Sequence, residues 1–221
     1  MKNIAVIPAR GGSKRLPKKN CMLLNGIPLL AHSIIYAQNN AAIISEVYVS
    51  TDDRQIKEIA LSYGAKVIDR PAELSGDKEP TVSALKHVIQ NLHTEVDNVI
   101  LLQATNPLRP ENLLKECFDV FLNSNTDSLF TVSKNHYKLG KIEDGVFSPY
   151  NYSFGQRSQD LEALYYENGL LYISKSKLIL DNTIVSKSAY PFEMVSSFPI
   201  IDIDTQTDFE YANYLIKNIK V

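Results

Sequence analysis

Five basic side chains crowd one short stretch near the N-terminus: Arg10, Lys14, Arg15, Lys18 and Lys19 in ARGGSKRLPKKN, Ala9 to Asn20. Guanidinium and ammonium groups at this density suit phosphate oxygens. Gly11 and Gly12 let backbone N–H groups approach an anion with no Cβ in the way, and free N–H groups there can line an anion nest. Ser13 and Asn20 add hydrogen-bond donors. A P-loop needs G-x-x-x-x-G-K-[ST] opening directly into a helix, which the missing Gly-Lys and the intervening Pro17 exclude. A dinucleotide fingerprint, G-x-G-x-x-G, is absent as well. A long basic turn of this kind suits a nucleoside triphosphate, and the same charge also fits a solvated surface loop.

A second constellation lies near the other end. Asp202 and Asp204 stand two residues apart in IIDID, so on a strand they share a face, about 7 Å apart along it. An oxygen-only pair suits Mg²⁺, which takes one or two carboxylates and completes its shell with phosphate oxygens and water. Left unneutralised, the two charges would push their pKa values apart. The plainer reading is that one of them caps the helix that follows or pairs with an arginine. His32, His87, His93 and His136 are scattered and suggest no metal set.

Positioning these groups requires a sheet. Ile4 to Ile7 reads as a central strand that feeds the basic turn, and the C-terminal ends of such strands are where open α/β folds place ligands. A helix from Pro28 carries Leu29, Leu30, Ser33, Ile34 and Ala37 at helical spacing. Glu46 to Thr51 is the second strand; Asp52 or Asp53 caps the helix RQIKEIALSY, ended by Gly64. A short strand over 65–68, a helix around 82–92, a buried strand over 99–102, and a helix from Pro110 through ENLLKECFDVFLN continue the alternation. A further strand covers 128–132. The alternation breaks over 135–168, a stretch rich in Tyr, Gly, Asn and Ser that reads as an inserted subdomain and a candidate dimerisation arm. Order returns at 169–174, in a short helix near Lys177, and at 190–194. A last strand over 200–204 leads into QTDFEYANYLIKN, whose Thr205 and Asp208 make a capping-box-like start. The whole reads as an α/β fold with a mostly parallel central sheet over one domain, residues 1–221.

With 221 residues and 44% hydrophobic content, the chain can bury one sizeable core. A net charge of −2 means that acids elsewhere balance the basic turn, which argues against a nucleic-acid binder. Cys21 and Cys117 make no secreted disulfide framework. The first apolar run is too short for a signal peptide, and no segment reaches the length of a membrane span. A cytoplasmic enzyme with no membrane partner is expected.

Four motifs in order then carry a family resemblance over nearly the whole length: PARGGSKRLPKKN, RPAELSGD (Arg70 to Asp77), LLQATNPLR (Leu101 to Arg109) and IDIDTQTDFEYA. RSQDLEALYYENGLLYIS adds a looser match. The chain resembles the N-acylneuraminate cytidylyltransferases, which activate sialic-acid-type sugars. The resemblance implies a Rossmann-like nucleotidyltransferase fold with a dimerisation extension and a homodimer. It also implies a Mg²⁺-dependent reaction of CTP with a nine-carbon 2-keto sugar acid to give CMP-sugar and pyrophosphate.

By the same resemblance Lys19, Arg10 and Gln103 are the catalytic candidates. Arg10, Gly11, Ser13, Lys19, Asn20, Arg70 and Thr81 would hold the nucleotide. Gln103, Thr105, Lys138, Arg157, Gln159, Tyr172 and Phe192 would meet the sugar, those of the insertion in the same chain or across a dimer. Asp202 and Asp204 would hold the metal. Arg15 and Lys18 read as the solvated members of the basic cluster. Thr81 stands where the family pattern has serine, and Tyr166 stands where many relatives carry an arginine two residues before the Asn of Y-Y-E-N-G. N-acetylneuraminate, legionaminate and the deaminated acid remain open, with pseudaminate ranked lower. The rival readings are a cytidylyltransferase for the eight-carbon acid Kdo and a non-catalytic nucleotide-binding module of the same fold.

Overall fold

The alternation of apolar strands and helices resolves, in a computed structural model that describes residues 1–194 and 200–218, into a seven-stranded sheet with helices on both faces. In chain order the elements are β1 (Asn3–Pro8), the short ribbon β2 (Leu23–Leu24) and β3 (Ile27–Pro28), α1 (Leu29–Asn39), β4 (Glu46–Thr51), α2 (Arg54–Ser62) and β5 (Lys66–Asp69). Then come α3 (Thr81–Gln90), β6 (Asn98–Leu101), α4 (Leu113–Asn123), β7 (Ser128–Lys134), the hairpin β8 (Gly140–Glu143) and β9 (Val146–Pro149), and β10 (Tyr165–Lys175). The chain continues with α5 (Ser176–Leu180), β11 (Tyr190–Glu193) and α6 (Gln206–Asn218).

The strand order is β11-β7-β10-β6-β1-β4-β5, and only β10 runs antiparallel to its neighbours. From β1 the chain moves outward through β4 and β5, then crosses back to β6 on the other side of β1. The loops after β1 and β6 therefore diverge and leave a crevice at the carboxyl ends of the strands, the position where such sheets bind ligands.

The period-2 alternation of β1 divides its side chains between two cores. Ala5 and Ile7 join Leu30 and Ile34 of α1, Ile56 of α2 and Leu114 of α4, while Ile4 and Val6 join Leu85 of α3 and Ile179 of α5. A strand covered on both faces must be apolar throughout, which is why the first apolar run is continuous. A third cluster forms at one end of the sheet: Leu16 from the basic turn packs with Leu24, Leu108, Ile203 and Phe209 of α6.

Local chemistry sets several boundaries. Asp53 caps α2 by accepting from the Ile56 N–H at 2.9 Å. At α6 the Asp208 carboxylate accepts from the Thr205 N–H at 2.8 Å while Thr205 Oγ1 accepts from the Asp208 N–H at 3.3 Å, a reciprocal capping box. α4 begins at Leu113 rather than at Pro110, because the chain first closes a turn in which the Leu113 N–H donates to the Pro110 carbonyl at 3.1 Å.

The segment 200–204 is not a strand. Its backbone groups are satisfied individually rather than by a ladder. The Ile203 N–H donates to the Thr105 carbonyl at 2.8 Å, the Ile201 carbonyl accepts from the Asn106 side chain at 3.1 Å, and the Ile203 carbonyl accepts from Lys19 at 2.8 Å. The alternation survives without the strand: Ile201 and Ile203 are buried, and the aspartates between and after them are not.

The stretch after β7 leaves the sheet as an arm carrying the β8–β9 hairpin. The Asn135 N–H donates to the Leu164 carbonyl at 2.7 Å and closes its base, so Tyr165 to Asn168 already belong to β10. Tyr137, Ile142, Val146, Tyr150 and Phe154 of the arm are exposed. No described helix is long and apolar enough to cross a membrane.

Candidate active site

The basic turn is held from below and behind. Leu16 anchors it in the third core, and buried Asn20 donates to the Arg10 carbonyl at 3.2 Å, fixing where the turn begins. Gly11 is required by space rather than by φ: a Cβ there would lie 2.7 Å from Asp53 Oδ2, part of the cap of α2. The Gly11 N–H is not free for an anion, because it donates to Asp52 Oδ1 at 2.9 Å. The carboxylate takes the place expected for a ligand oxygen, and Gly11 faces a narrow cleft beside α2 rather than the main crevice.

That crevice is a cavity of about 480 Å³ whose walls include Arg10, Lys14, Arg15, Lys19 and Arg70, a convergence of cations from two loops. Ser13, Asn20, Thr81, Gln103 and Thr105 also line it, as do Asp77 and Asp204. Two of these acids hold the cations in place. Arg10 pairs with Asp77 at 2.9 Å, and Lys14 also reaches the Asp77 carboxylate. The hydrogen bond from Lys14, with the nearby charges of Lys14 and Arg10, holds Asp77 below the usual carboxylate range. Lys19, the most buried cation of the basic turn, donates to Asp204 Oδ1 at 2.9 Å, and Arg15 pairs with Asp204 Oδ2 at 2.7 Å. Arg15 reaches the cavity mouth with its side chain 71% exposed, and Lys18 is exposed at φ 56, so both stay solvated as expected. Arg70 is buried against β4, where it donates to Ser50 Oγ at 3.0 Å and to the Ser50 carbonyl. Burial pushes its guanidinium below the usual value, and the charge of Asp52 opposes that shift.

Gln103 sits at the junction between this cavity and two others of about 480 and 410 Å³ on the β10 side. Its position rests on a buried polar network. Arg109, 2% exposed, donates to the Gln103 carbonyl at 2.8 Å, to the Leu170 carbonyl at 2.7 Å and to Ser33 Oγ at 3.0 Å. Burial lowers its pKa to about 10, so it stays charged at neutral pH, and its guanidinium lies 5.5 Å from the centre of the Tyr36 ring. Buried Asn106 ties the same region to segment 200–204. Neither residue stands out in the sequence beyond its place in QATNPLR, since nothing local marks an arginine as buried. Gly169, at φ 75, lets β10 pass close by: a Cβ there would lie 2.9 Å from Asn106 Oδ1 and 3.1 Å from Gln103 Nε2.

The other sequence candidates separate. Tyr172 borders the two β10-side cavities, and its hydroxyl donates to Glu167 at 3.0 Å. Phe192 packs against the main core and lines none of the described cavities. Lys138, Arg157 and Gln159 stay on the arm outside those cavities. Lys138 donates to the Gln156 carbonyl beside the Tyr152 ring, Arg157 pairs with Asp160 at 2.8 Å, and Gln159 is exposed. Asp204 faces the basic cavity, whereas Asp202 lines the cavity on the other side of Gln103.

Among the described residues no three metal-ligating side chains cluster. Asp202 and Asp204 are oxygen donors of the type a hard cation takes, its remaining oxygens coming from a phosphorylated ligand and water. They open into different cavities and Asp204 is already engaged by Lys19 and Arg15, so a cation shared by the two would have to displace those contacts.

Known proteins resemble the chain in both sequence and fold. The chain is 36% identical to the pseudaminic acid cytidylyltransferase of Campylobacter jejuni, over 98% of this chain and 97% of that protein. It is 35% identical, with the same coverage, to the CMP-N,N'-diacetyllegionaminic acid synthase of Legionella pneumophila. It is 33% identical to the N-acylneuraminate cytidylyltransferase of Streptococcus agalactiae over 95% of this chain and 52% of that longer protein. Its fold is similar to that of CMP:2-keto-3-deoxy-manno-octonic acid synthetase solved with CTP, with a TM-score of 0.74 at 20% identity, over 98% of this chain and 99% of that one. Residues 4–220 match the cytidylyltransferase family, and the chain belongs to it.

Proposed function

We propose that the protein transfers the cytidylyl group of CTP to the anomeric hydroxyl of a nonulosonic acid, releasing pyrophosphate. The observation that carries the reading is the cavity at the carboxyl ends of β1 and β6, where Arg10, Lys14, Arg15, Lys19 and Arg70 converge around Gln103. In this reaction the sugar oxygen bonds to the α-phosphorus, the bond from that phosphorus to the bridging oxygen breaks, and the hydroxyl proton passes to solvent or a nearby base. Negative charge accumulates on the phosphates and the departing pyrophosphate. Preplaced cations stabilise such charge without reorganisation, so positioning and electrostatics carry the rate and no covalent enzyme intermediate is needed.

Lys19, fixed by the Ile203 carbonyl and Asp204, and Arg10, fixed on Asp77, are assigned to the triphosphate. Ser13, Asn20, Arg70 and Thr81 complete the nucleotide pocket, whereas Gly11, its N–H taken by Asp52, does not. Gln103, at the cavity junction, orients the sugar hydroxyl toward the α-phosphate, with Thr105 beside it. Mg²⁺ held by Asp202 and Asp204 would supply charge neutralisation on the phosphates.

Homodimerisation is part of the proposal, supported by the apolar side chains that the arm exposes, such as Ile142, Tyr150 and Phe154. In such a dimer Lys138, Arg157 and Gln159 would serve the partner's sugar site, where an arginine can fork onto the substrate carboxylate. The relatives of pseudaminic, legionaminic and neuraminic acid specificity stand at nearly equal identity, so pseudaminate, first expected to rank low, joins the candidate sugars.

The test is pyrophosphate release from CTP with Mg²⁺ across a panel of nine-carbon 2-keto sugar acids, with the eight-carbon acid Kdo alongside. Turnover with at least one nine-carbon acid above Kdo is expected. Turnover with none of the acids would overturn the reading.

A further inference from the structure

On the β10 side of Gln103 the crevice changes character. Glu167 is the one side chain that borders three described cavities there: one of about 480 Å³ toward Asp202, one of about 410 Å³ under α3, and one of about 500 Å³ over the β10-β7-β11 edge of the sheet. The last has walls of Phe130, Val132, Tyr165, Tyr166 and Pro191. Among the described residues these three cavities carry the acids Glu167, Asp202 and Glu193 and neither lysine nor arginine. They favour hydrogen-bond donors and repel a carboxylate.

Glu167 is also held for the task. Tyr172, buried and stacked on Phe130, donates to Glu167 Oε2 at 3.0 Å. Burial, then the charge of Glu167, raises the Tyr172 phenol well above its usual value, so the donor persists. Strand β10 shifts register between Glu167 and Tyr172, the kind of irregularity that re-aims a side chain. One carboxylate oxygen is thus anchored, and among the described residues no donor engages the other.

We infer that Glu167 determines sugar specificity by accepting the amide N–H of an N-acylamino substituent, whose acyl carbon enters the largely apolar cavity over the β10-β7-β11 edge of the sheet. A hydroxyl in the same place meets the carboxylate equally well but leaves that apolar wall to water, so carboxylate and wall together select the N-acylated acid. The sugar carboxylate, repelled from these acids, turns toward cations, whether across Gln103 or from the partner arm. The inference rests on the cytidylyl-transfer reading and narrows its substrate class.

The experiment compares kcat/KM for the N-acylated acid turned over fastest in the panel with that for the counterpart carrying hydroxyl in place of that group. It uses the wild-type protein, Glu167→Leu and Glu167→Gln, with the KM for CTP as control. The wild type is expected to favour the N-acylated acid by about tenfold or more. In Glu167→Leu the ratio should fall by about tenfold with the CTP KM unchanged. Glu167→Gln, a neutral acceptor, should retain part of the preference. Calorimetric binding of the two acids should move in parallel. Equal use of both acids by the wild type, turnover of hydroxylated acids alone, or a ratio unmoved in both variants would sink the inference while leaving cytidylyl transfer intact. Turnover of neither acid by the wild type overturns the transfer reading and this inference with it. If Glu167→Leu does not fold, Glu167→Gln carries the comparison.

Discussion

The guanidinium of Arg109 reaches the backbone carbonyl of Gln103 at 2.8 Å from a fully enclosed position, and the same group spans to the Leu170 carbonyl at 2.7 Å. One buried cation therefore sets the distance between the strand end that carries Gln103 and the strand β10 that carries Glu167 and Tyr172. Removing the charge leaves those acceptors unpaired in the core, so Arg109→Met should lower unfolding free energy by about 2–4 kcal/mol. Urea unfolding followed by circular dichroism measures this. Arg109→Lys, a point charge that cannot span three acceptors, should lose much of the same stability.

At Gly169 the strain is steric on two counts, a φ of 75 and a Cβ that would lie 2.9 Å from Asn106 Oδ1. Gly169→Ala should destabilise the fold by about 2 kcal/mol and displace Gln103. A fall in kcat that exceeds the folded fraction lost, read at a temperature where the variant is folded, checks the second part.

Lys19 and Asp204 neutralise each other beside the Ile203 carbonyl. Lys19→Met should lower kcat/KM for CTP about 100-fold or more with the fold kept. Asp204→Asn should likewise cost far more in turnover than in stability, and should raise the Mg²⁺ concentration needed for half-maximal rate. A destabilised Asp204→Asn protein with normal turnover per folded molecule would make the aspartate structural.

Asp77 holds Arg10, the side chain assigned to the triphosphate, together with Lys14 beside it, before any phosphate arrives. Asp77→Asn should free them and lower the KM for CTP several-fold at low salt, an effect that fades as salt screens the exposed charges. The melting temperature should hardly move. A raised KM would mean that Asp77 orders the turn rather than competing with the ligand.

His32 is the group with a pH signature in the core. Burial lowers its pKa from 6.5, against the hydrogen bonds at the Leu24 and Ile27 carbonyls. The unfolded chain therefore binds the proton more readily than the folded one, and stability should fall as pH drops below about 6.5 and level off once the folded imidazole is protonated. In His32→Gln that slope should be absent in urea titrations between pH 7 and 5.

Much of this was visible in the chain itself. Continuous apolar runs announced strands covered on both faces, Asp52 or Asp53 and the Thr205–Asp208 pair marked helix starts, and composition alone located the basic turn whose cations line the crevice. What escaped was governed by distant partners. Segment 200–204 has strand composition, yet its hydrogen bonds go to Thr105, Asn106 and Lys19, so it never joins a ladder. Gly11 reads as a free N–H, yet Asp52 takes it.

The sequence by itself determined the order of elements, the place of the basic turn at a strand end, the capping of α2 and α6 and the family, because each depends on residues adjacent in the chain or on contiguous motifs. The tertiary structure alone decided which charges meet. Lys19 reaches Asp204 across 185 positions, Arg109 reaches Leu170 across 61, and Asp202 and Asp204 open on different sides of Gln103 although they are next-but-one neighbours. The physical reason is that spacing along a chain fixes only the near neighbours of a residue. The partners that neutralise a buried cation are set by how loops from separate strands fold over the common end of the sheet.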